Sequence, residues 1–133
     1  MTVSAFFSVS VTPPLIAVCL DGQAATLKVI LASRQFAVNV LSTSQHSLSE
    51  RFAKEDEPVR FDGIALHEAK GARSPLLAGS VVHLDCELDA THDAGDHVLC
   101  VGRILLILSH PGEPLLFHAS RYHRLTALEG DGH

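Results

Sequence analysis

Residues 2–12 run Thr-Val-Ser-Ala-Phe-Phe-Ser-Val-Ser-Val-Thr and end on Pro13-Pro14. Read with period two, Val3, Ala5, Phe7, Val9 and Val11 fall on one side. Thr2, Ser4, Phe6, Ser8, Ser10 and Thr12 fall on the other. Successive side chains of a strand point to opposite faces, so this pattern predicts a strand with an apolar face towards a core. The opposite face is a ladder of small hydroxyls broken only by Phe6, and hydroxyls can both donate to and accept from a polar ligand. The two prolines stop the strand because neither can donate to a ladder. Residues 15–20 then form a second, wholly apolar run.

The chain has 133 residues, which predicts one domain over 1–133 with a core that needs no covalent staples. A net charge of −5 and the absence of any Lys/Arg-rich run argue against a nucleic-acid partner. No apolar run approaches the roughly 20 residues of a membrane span, and no charged segment followed by an apolar block marks a signal peptide. Cys19, Cys86 and Cys100 are odd in number, lack CxxC spacing and lie in apolar runs. They read as reduced, buried thiols of a cytoplasmic protein. The nine histidines include pairs five apart, His92/His97 and His118/His123, and no HExxH. No metal site is expected, and most histidines read as surface or strand-edge residues.

Asp21-Gly22-Gln23 reads as a turn. Residues 24–33 read as a short helix with Leu27, Ile30 and Leu31 on its inner side. The free amides of its first turn, with Thr26 beside them, could hold an anion, or could meet only water. Residues 36–41 form a buried strand with one amide, Asn39, which must find a partner. Ser42, Thr43 and Ser44 offer an N-cap for a helix to about Ala53, with Leu48 and Phe52 inward. Residues 54–60 read as a charged, solvated loop, 64–69 as a short strand and 71–79 as a turn region. In 81–91, Val82, Leu84, Cys86, Leu88 and Ala90 are expected inside. Val81, His83, Asp85, Glu87, Asp89 and Thr91 are expected outside as a solvated row. Residues 93–96 form a turn, and 97–109 the longest strand. Pro111-Gly112-Glu113 turns the chain into a returning strand over 114–118, and 129–133 form a polar tail. Neither GxGxxG nor GxSxG is present, which argues against a Rossmann nucleotide site and a serine hydrolase elbow. Many short strands and two short helices predict a mainly β barrel with helical additions.

Five stretches in order resemble the flavin reductase-like domain. They are Thr2-Val3-Ser4-Ala5-Phe6-Phe7-Ser8-Val9-Ser10 with Pro13-Pro14-Leu15, Phe36-Ala37-Val38-Asn39-Val40-Leu41, and Leu48-Ser49-Glu50-Arg51-Phe52-Ala53. Gly95-Asp96-His97 with Val101-Gly102-Arg103-Ile104, and Arg121-Tyr122-His123-Arg124-Leu125, complete the set. The resemblance implies an FMN-binding split β-barrel that passes hydride from NADH or NADPH to FMN or FAD. The reduced flavin would serve a partner flavin-dependent monooxygenase. It also implies that Thr2, Val3, Ser4 and Ala5 line the flavin ring. Ser8, Ser10, Gln23, Ala24, Thr26 and Asn39 would lie towards the ribityl chain and phosphate, with His97 and Tyr122 on the nicotinamide side and His97 in the catalytic role. Ala24 and Ala25 stand where family members often carry serine, which leaves more of the phosphate contact to Thr26, Gln23 and backbone amides. Family members carry a strand and hairpin before the segment that opens this sequence. Either the start is truncated or this homologue lacks that strand, and a missing strand predicts an exposed edge covered by a second copy in a homodimer. A flavin- or haem-binding module without reductase activity, and a ligand-free structural dimer, are the alternatives, since one fold hosts several functions.

Overall fold

A computed structural model describes residues 1–3, 5–54 and 60–130. The chain order is β1 (Phe7–Ser10), β2 (Leu15–Asp21), α1 (Ala25–Ser33), β3 (Gln35–Val40), a 3-10 turn (Thr43–Gln45), α2 (His46–Lys54), β4 (Val82–Ala94), β5 (His97–Ser109), β6 (Leu116–His118) and β7 (Arg121–His123). Five strands make one sheet in the order β1-β2-β5-β4-β3, and β6 and β7 pair separately. Every pairing is antiparallel. The sheet, the covering helices and the terminal hairpin give a mainly β, split-barrel type of architecture.

The hairpin of β4 and β5 is its spine. Each strand has 13 residues, and Ala94 pairs with His97 across a two-residue loop. Gly95 sits in that loop at φ 63°, a conformation glycine adopts without steric cost. β2 adds to the outer side of β5, from Leu15 opposite Arg103 to Asp21 opposite His97. The core lies between this sheet and α1. Ile16, Val18, Leu20, Leu27, Ile30, Phe36, Leu84, Cys86, Leu88 and Cys100 are all buried there. Gly102 is required at the closest approach: a Cβ on it would stand 2.5 Å from the Phe36 ring and 3.0 Å from Cys86 Cβ.

The amino-terminal strand is shorter than its pattern predicts, and its apolar row does not face a core. Only Phe7–Ser10 pair with β2, and Phe7, Val9 and Val11 are exposed. Phe6 and Met1 instead pack against the core. The chain leaves the sheet before Phe7, and a register shift follows Ser8, so a single period-two reading does not carry through. Ser4 lies outside the described residues, as do 55–59 of the expected charged loop and 131–133 of the expected tail.

Five further expectations are corrected. Leu31 is 46% exposed, because the nine-residue α1 buries only the stripe of Leu27 and Ile30. Val81, His83 and Asp85 are buried, not solvated, because residues 64–80 cover the second face of β4. Arg73 N–H donates to Asp85 Oδ2 at 2.7 Å, and the Leu77 carbonyl lies 2.8 Å from His83 Nε2. Residues 64–69 form no strand, only a bridge between Leu66 and Leu77. Residues 114–118 do not return along β5. Leu115 N–H donates to the Leu41 carbonyl, and β6 pairs with β7. Cys86 and Cys100 are buried free thiols, whereas Cys19 is exposed on β2. Burial, with the Asp85 charge adding to it, pushes the Cys86 thiol up to about 12.

Candidate active site

A cavity of about 790 Å³ lies between the amino-terminal segment, α1, β3, α2 and the carboxy-terminal hairpin. Thr2, Val3, Ala5 and Phe6 form one wall, Thr26 and Ile30 of α1 another, and Val38, Asn39 and Val40 of β3 the floor. Leu48, Ser49 and Phe52 of α2 and Phe117 and Tyr122 of the hairpin complete it. The size and the mostly apolar lining with scattered polar groups are those of a small-molecule or cofactor site.

Local hydrogen bonds set these walls. Ser42 N–H donates to Gln45 Oε1 at 2.9 Å, and Gln45 Nε2 donates to the Ala78 carbonyl at 2.9 Å, which fixes the start of α2. Ser49, one turn on and 5% exposed, then faces the cavity. Its carbonyl accepts from Thr2 Oγ1 at 2.6 Å, and its Oγ accepts from Tyr122 Oη at 3.1 Å. One helical residue thus holds both ends of the chain. β3 is half-buried apart from Phe36, not buried throughout, and Asn39 finds its partners there, donating to the Pro75 carbonyl at 3.3 Å and accepting from Leu77 N–H at 2.9 Å. The phenyl rings of Phe52 and Phe61 meet edge to face, 5.0 Å apart, at the same wall.

Of the residues singled out in the sequence, the cavity brings together Thr2, Val3, Ala5, Thr26, Asn39 and Tyr122. His97, Gln23 and Ala24 stand outside its lining, at the end of the sheet where β2 runs into α1. There Gly22 N–H donates to the Asp96 carbonyl, and Gln23 N–H donates to Asp21 Oδ1. His97 Nδ1 lies 2.7 Å from Asp96 Oδ1, and that hydrogen bond holds the Asp96 carboxyl below its usual range. Ala24 caps α1 with extended backbone and offers no side-chain hydrogen bond, while its carbonyl accepts from Leu27 N–H at 3.1 Å. Ser8 and Ser10 lie beside the opposite end of β2. Ser10 pairs with Leu15 and His97 with Asp21, a separation of about 20 Å along a strand rising ~3.4 Å per residue.

Arg60, Ser49 and Ser74 are among the lining residues that the sequence reading did not place at the site. Arg60 was hidden in a run of charges that reads as solvated, yet it is 7% exposed. Ser49 could have been found from helical spacing, since it stands three residues before Phe52 on one face of α2. Among the described residues, no group of three or more His, Cys, Asp or Glu is arranged to hold a metal ion. No helix among them is long and apolar enough to cross a membrane.

Known proteins resemble this chain along nearly its whole length. Residues 1–126 match the flavin reductase like domain. The NADH-dependent FAD reductase of Streptomyces globisporus is 33% identical over 138 residues, spanning 99% of this chain and 75% of that protein. HsaB of Rhodococcus jostii, the reductase subunit of a flavin-dependent monooxygenase, is 38% identical over 127 residues; the chain spans 63% of its length. The Streptomyces globisporus NADH:FAD oxidoreductase SgcE6, solved in complex with NAD and FAD fragments, superposes with a TM-score of 0.84. It is 31% identical, with 95% of this chain and 76% of that one covered. The chain belongs to the flavin reductase-like domain family.

Proposed function

We propose that this chain is an NAD(P)H:flavin oxidoreductase that reduces FMN or FAD and supplies the reduced flavin to a partner monooxygenase. The cavity walled by Met1, Thr2, Val3, Ala5 and Phe6, with β3, α2 and Tyr122, carries the reading. The residues present fit a flavin. Apolar side chains and Phe117 can face a flat ring system, while Thr2, Thr26, Asn39 and Tyr122 place polar groups at intervals around it. A bound flavin supplies the hydride-accepting ring, so the protein's own task is to orient two rings and exclude water. That task calls for no acid–base pair inside the cavity, and none lines it among the described residues. The relatives' names support both the activity and the oxygenase partner.

In this proposal Thr2, Val3 and Ala5 lie against the ring, Thr26 and Asn39 lie towards the ribityl phosphate, and Tyr122 borders the nicotinamide. The start of α1, with Gln23 and Ala24, continues from Thr26 towards His97. This end of the sheet is proposed to receive the parts of the ligands that leave the cavity. Ser8 and Ser10 are proposed to act from the edge strand. That strand also supports a homodimer, because Phe7, Val9 and Val11 expose 53%, 49% and 89% of their surface beside unpaired backbone. Residence in the cytoplasm accords with reduced Cys86 and Cys100.

Anaerobic titration with NADH in the presence of FMN tests the activity, read as bleaching of the flavin. Stoichiometric bleaching is expected. FMN that stays oxidised under excess NADH and NADPH rejects it. Sedimentation at micromolar concentration tests the dimer, and a folded, active monomer rejects that.

A further inference from the structure

Arg60 is the only charged side chain among the described residues lining the cavity, and it is 7% exposed. Most polar side chains around it are already engaged with the protein: Thr2 and Tyr122 bond Ser49, and Asn39 bonds Pro75 and Leu77. Ser74 differs from these. Its Oγ is buried in the same lining and has no hydrogen-bond partner among the described residues. A guanidinium carries five N–H donors in a planar fork that matches a phosphoryl group, so it can hold one while keeping a contact to the protein. In a largely apolar site that pairing is stronger than on a surface. The oxidised isoalloxazine and ribityl chain carry no net charge, so the phosphoryl group is the anionic part of a flavin nucleotide.

We propose that Arg60, assisted by Ser74, recognises the phosphoryl group of the flavin and makes the cavity select phosphorylated flavins over riboflavin. This rests on the flavin reading of the cavity. The same chemistry occurs in the pyrophosphate of the nicotinamide coenzyme, and the test separates the two sources.

The experiment measures dissociation constants of FMN and riboflavin by quenching of flavin fluorescence, for the natural protein, Arg60→Gln and Arg60→Lys, at low and high salt. The natural protein is expected to prefer FMN by about 10- to 100-fold at low salt, the range of a charge-assisted pair, and to lose part of that preference in high salt. Arg60→Gln is expected to weaken FMN by a similar factor and leave riboflavin unchanged, with Arg60→Lys between them. Equal loss of both flavins in Arg60→Gln, or an unchanged ratio, overturns the proposal. Should Arg60→Gln not fold, the ratio in Arg60→Lys decides in the same way. A raised KM for NADH, with riboflavin as acceptor and the FMN/riboflavin ratio intact, overturns it in favour of the coenzyme. A natural protein that binds both flavins alike overturns the phosphoryl assignment alone, whereas one that binds neither removes the flavin reading itself.

Discussion

Tyr122 Oη donates to Ser49 Oγ across 3.1 Å and joins the carboxy-terminal hairpin to α2 at the cavity wall. Tyr122→Phe removes this bond while keeping the ring. The expected cost is about 0.5–1.5 kcal/mol of stability, the net value of one such hydrogen bond. Tyr122→Ala also removes the ring from the lining and is expected to weaken flavin binding further than Tyr122→Phe. Thermal unfolding and flavin titration of the two variants read these effects separately. Equal flavin affinity in both would take the Tyr122 ring out of the site.

Gly102→Ala is expected to destabilise the sheet by roughly 1–3 kcal/mol, the range for inserting a methyl into a packed core. The added carbon would meet the buried Phe36 ring at 2.5 Å. Phe36→Leu in the same chain should recover part of the loss, because it withdraws the atoms that clash. Urea unfolding of the single and double variants measures both. A double variant less stable than the sum of the singles would contradict this contact.

Stability should fall on acidification through the histidine range. Burial, the largest cause, holds His83 below the ordinary histidine value, with the charges of His110 and His67 acting the same way and the Leu77 hydrogen bond opposing. Nε2 of His83 faces the Leu77 carbonyl at 2.8 Å and so carries the hydrogen, which leaves Nδ1 to accept from His110 Nε2 at 3.1 Å. The folded state therefore favours neutral His83, and the unfolded chain binds its proton first. The contribution is fully present above the unfolded value of about 6.5 and is lost as pH falls towards the lowered folded value. His83→Gln, which keeps a donor and does not titrate, should flatten this part of the profile of Tm against pH. An unchanged slope would exclude His83 as its source.

His97→Ala is expected to slow NADH oxidation more than it weakens flavin binding, since His97 stands at the sheet end beyond the cavity and not among its walls. Steady-state kinetics with NADH varied, beside a flavin titration, decide the point. Turnover equal to that of the natural protein would remove His97 from the reaction.

Much of the frame could be read from local pattern. β2, α1, β3, α2 and the β4–β5 hairpin with its Gly95-Asp96 turn all lie close to their expected positions, because each is encoded by contiguous periodicity and turn chemistry. The failures share one cause. Phe7, Val9, His83 and Asp85 follow faultless alternation, but alternation states only that two faces differ, not what covers each one. The covering of His83 and Asp85 comes from irregular residues near Arg73 and Leu77 that carry no periodic signal. In the cavity, Thr2, Thr26, Asn39 and Tyr122 were legible through motifs. Arg60 was not, because a buried cation and a solvated one look alike in a run of charges.

The bonds that close the cavity span great lengths of chain: 47 residues between Thr2 and Ser49, and 73 between Ser49 and Tyr122. The β4–β5 hairpin, by contrast, joins neighbours in sequence. Loop-closure entropy favours early pairing of such neighbours and delays contacts between distant segments. The sheet should therefore form while the two chain ends are still loose, and those ends should be the first parts to open in the native state. Hydrogen exchange would then find amides of residues 2, 3, 5 and 6 and of 121–123 exchanging well before those of the central strands. Ligand entry would need only this local opening, with the hairpin undisturbed beneath it.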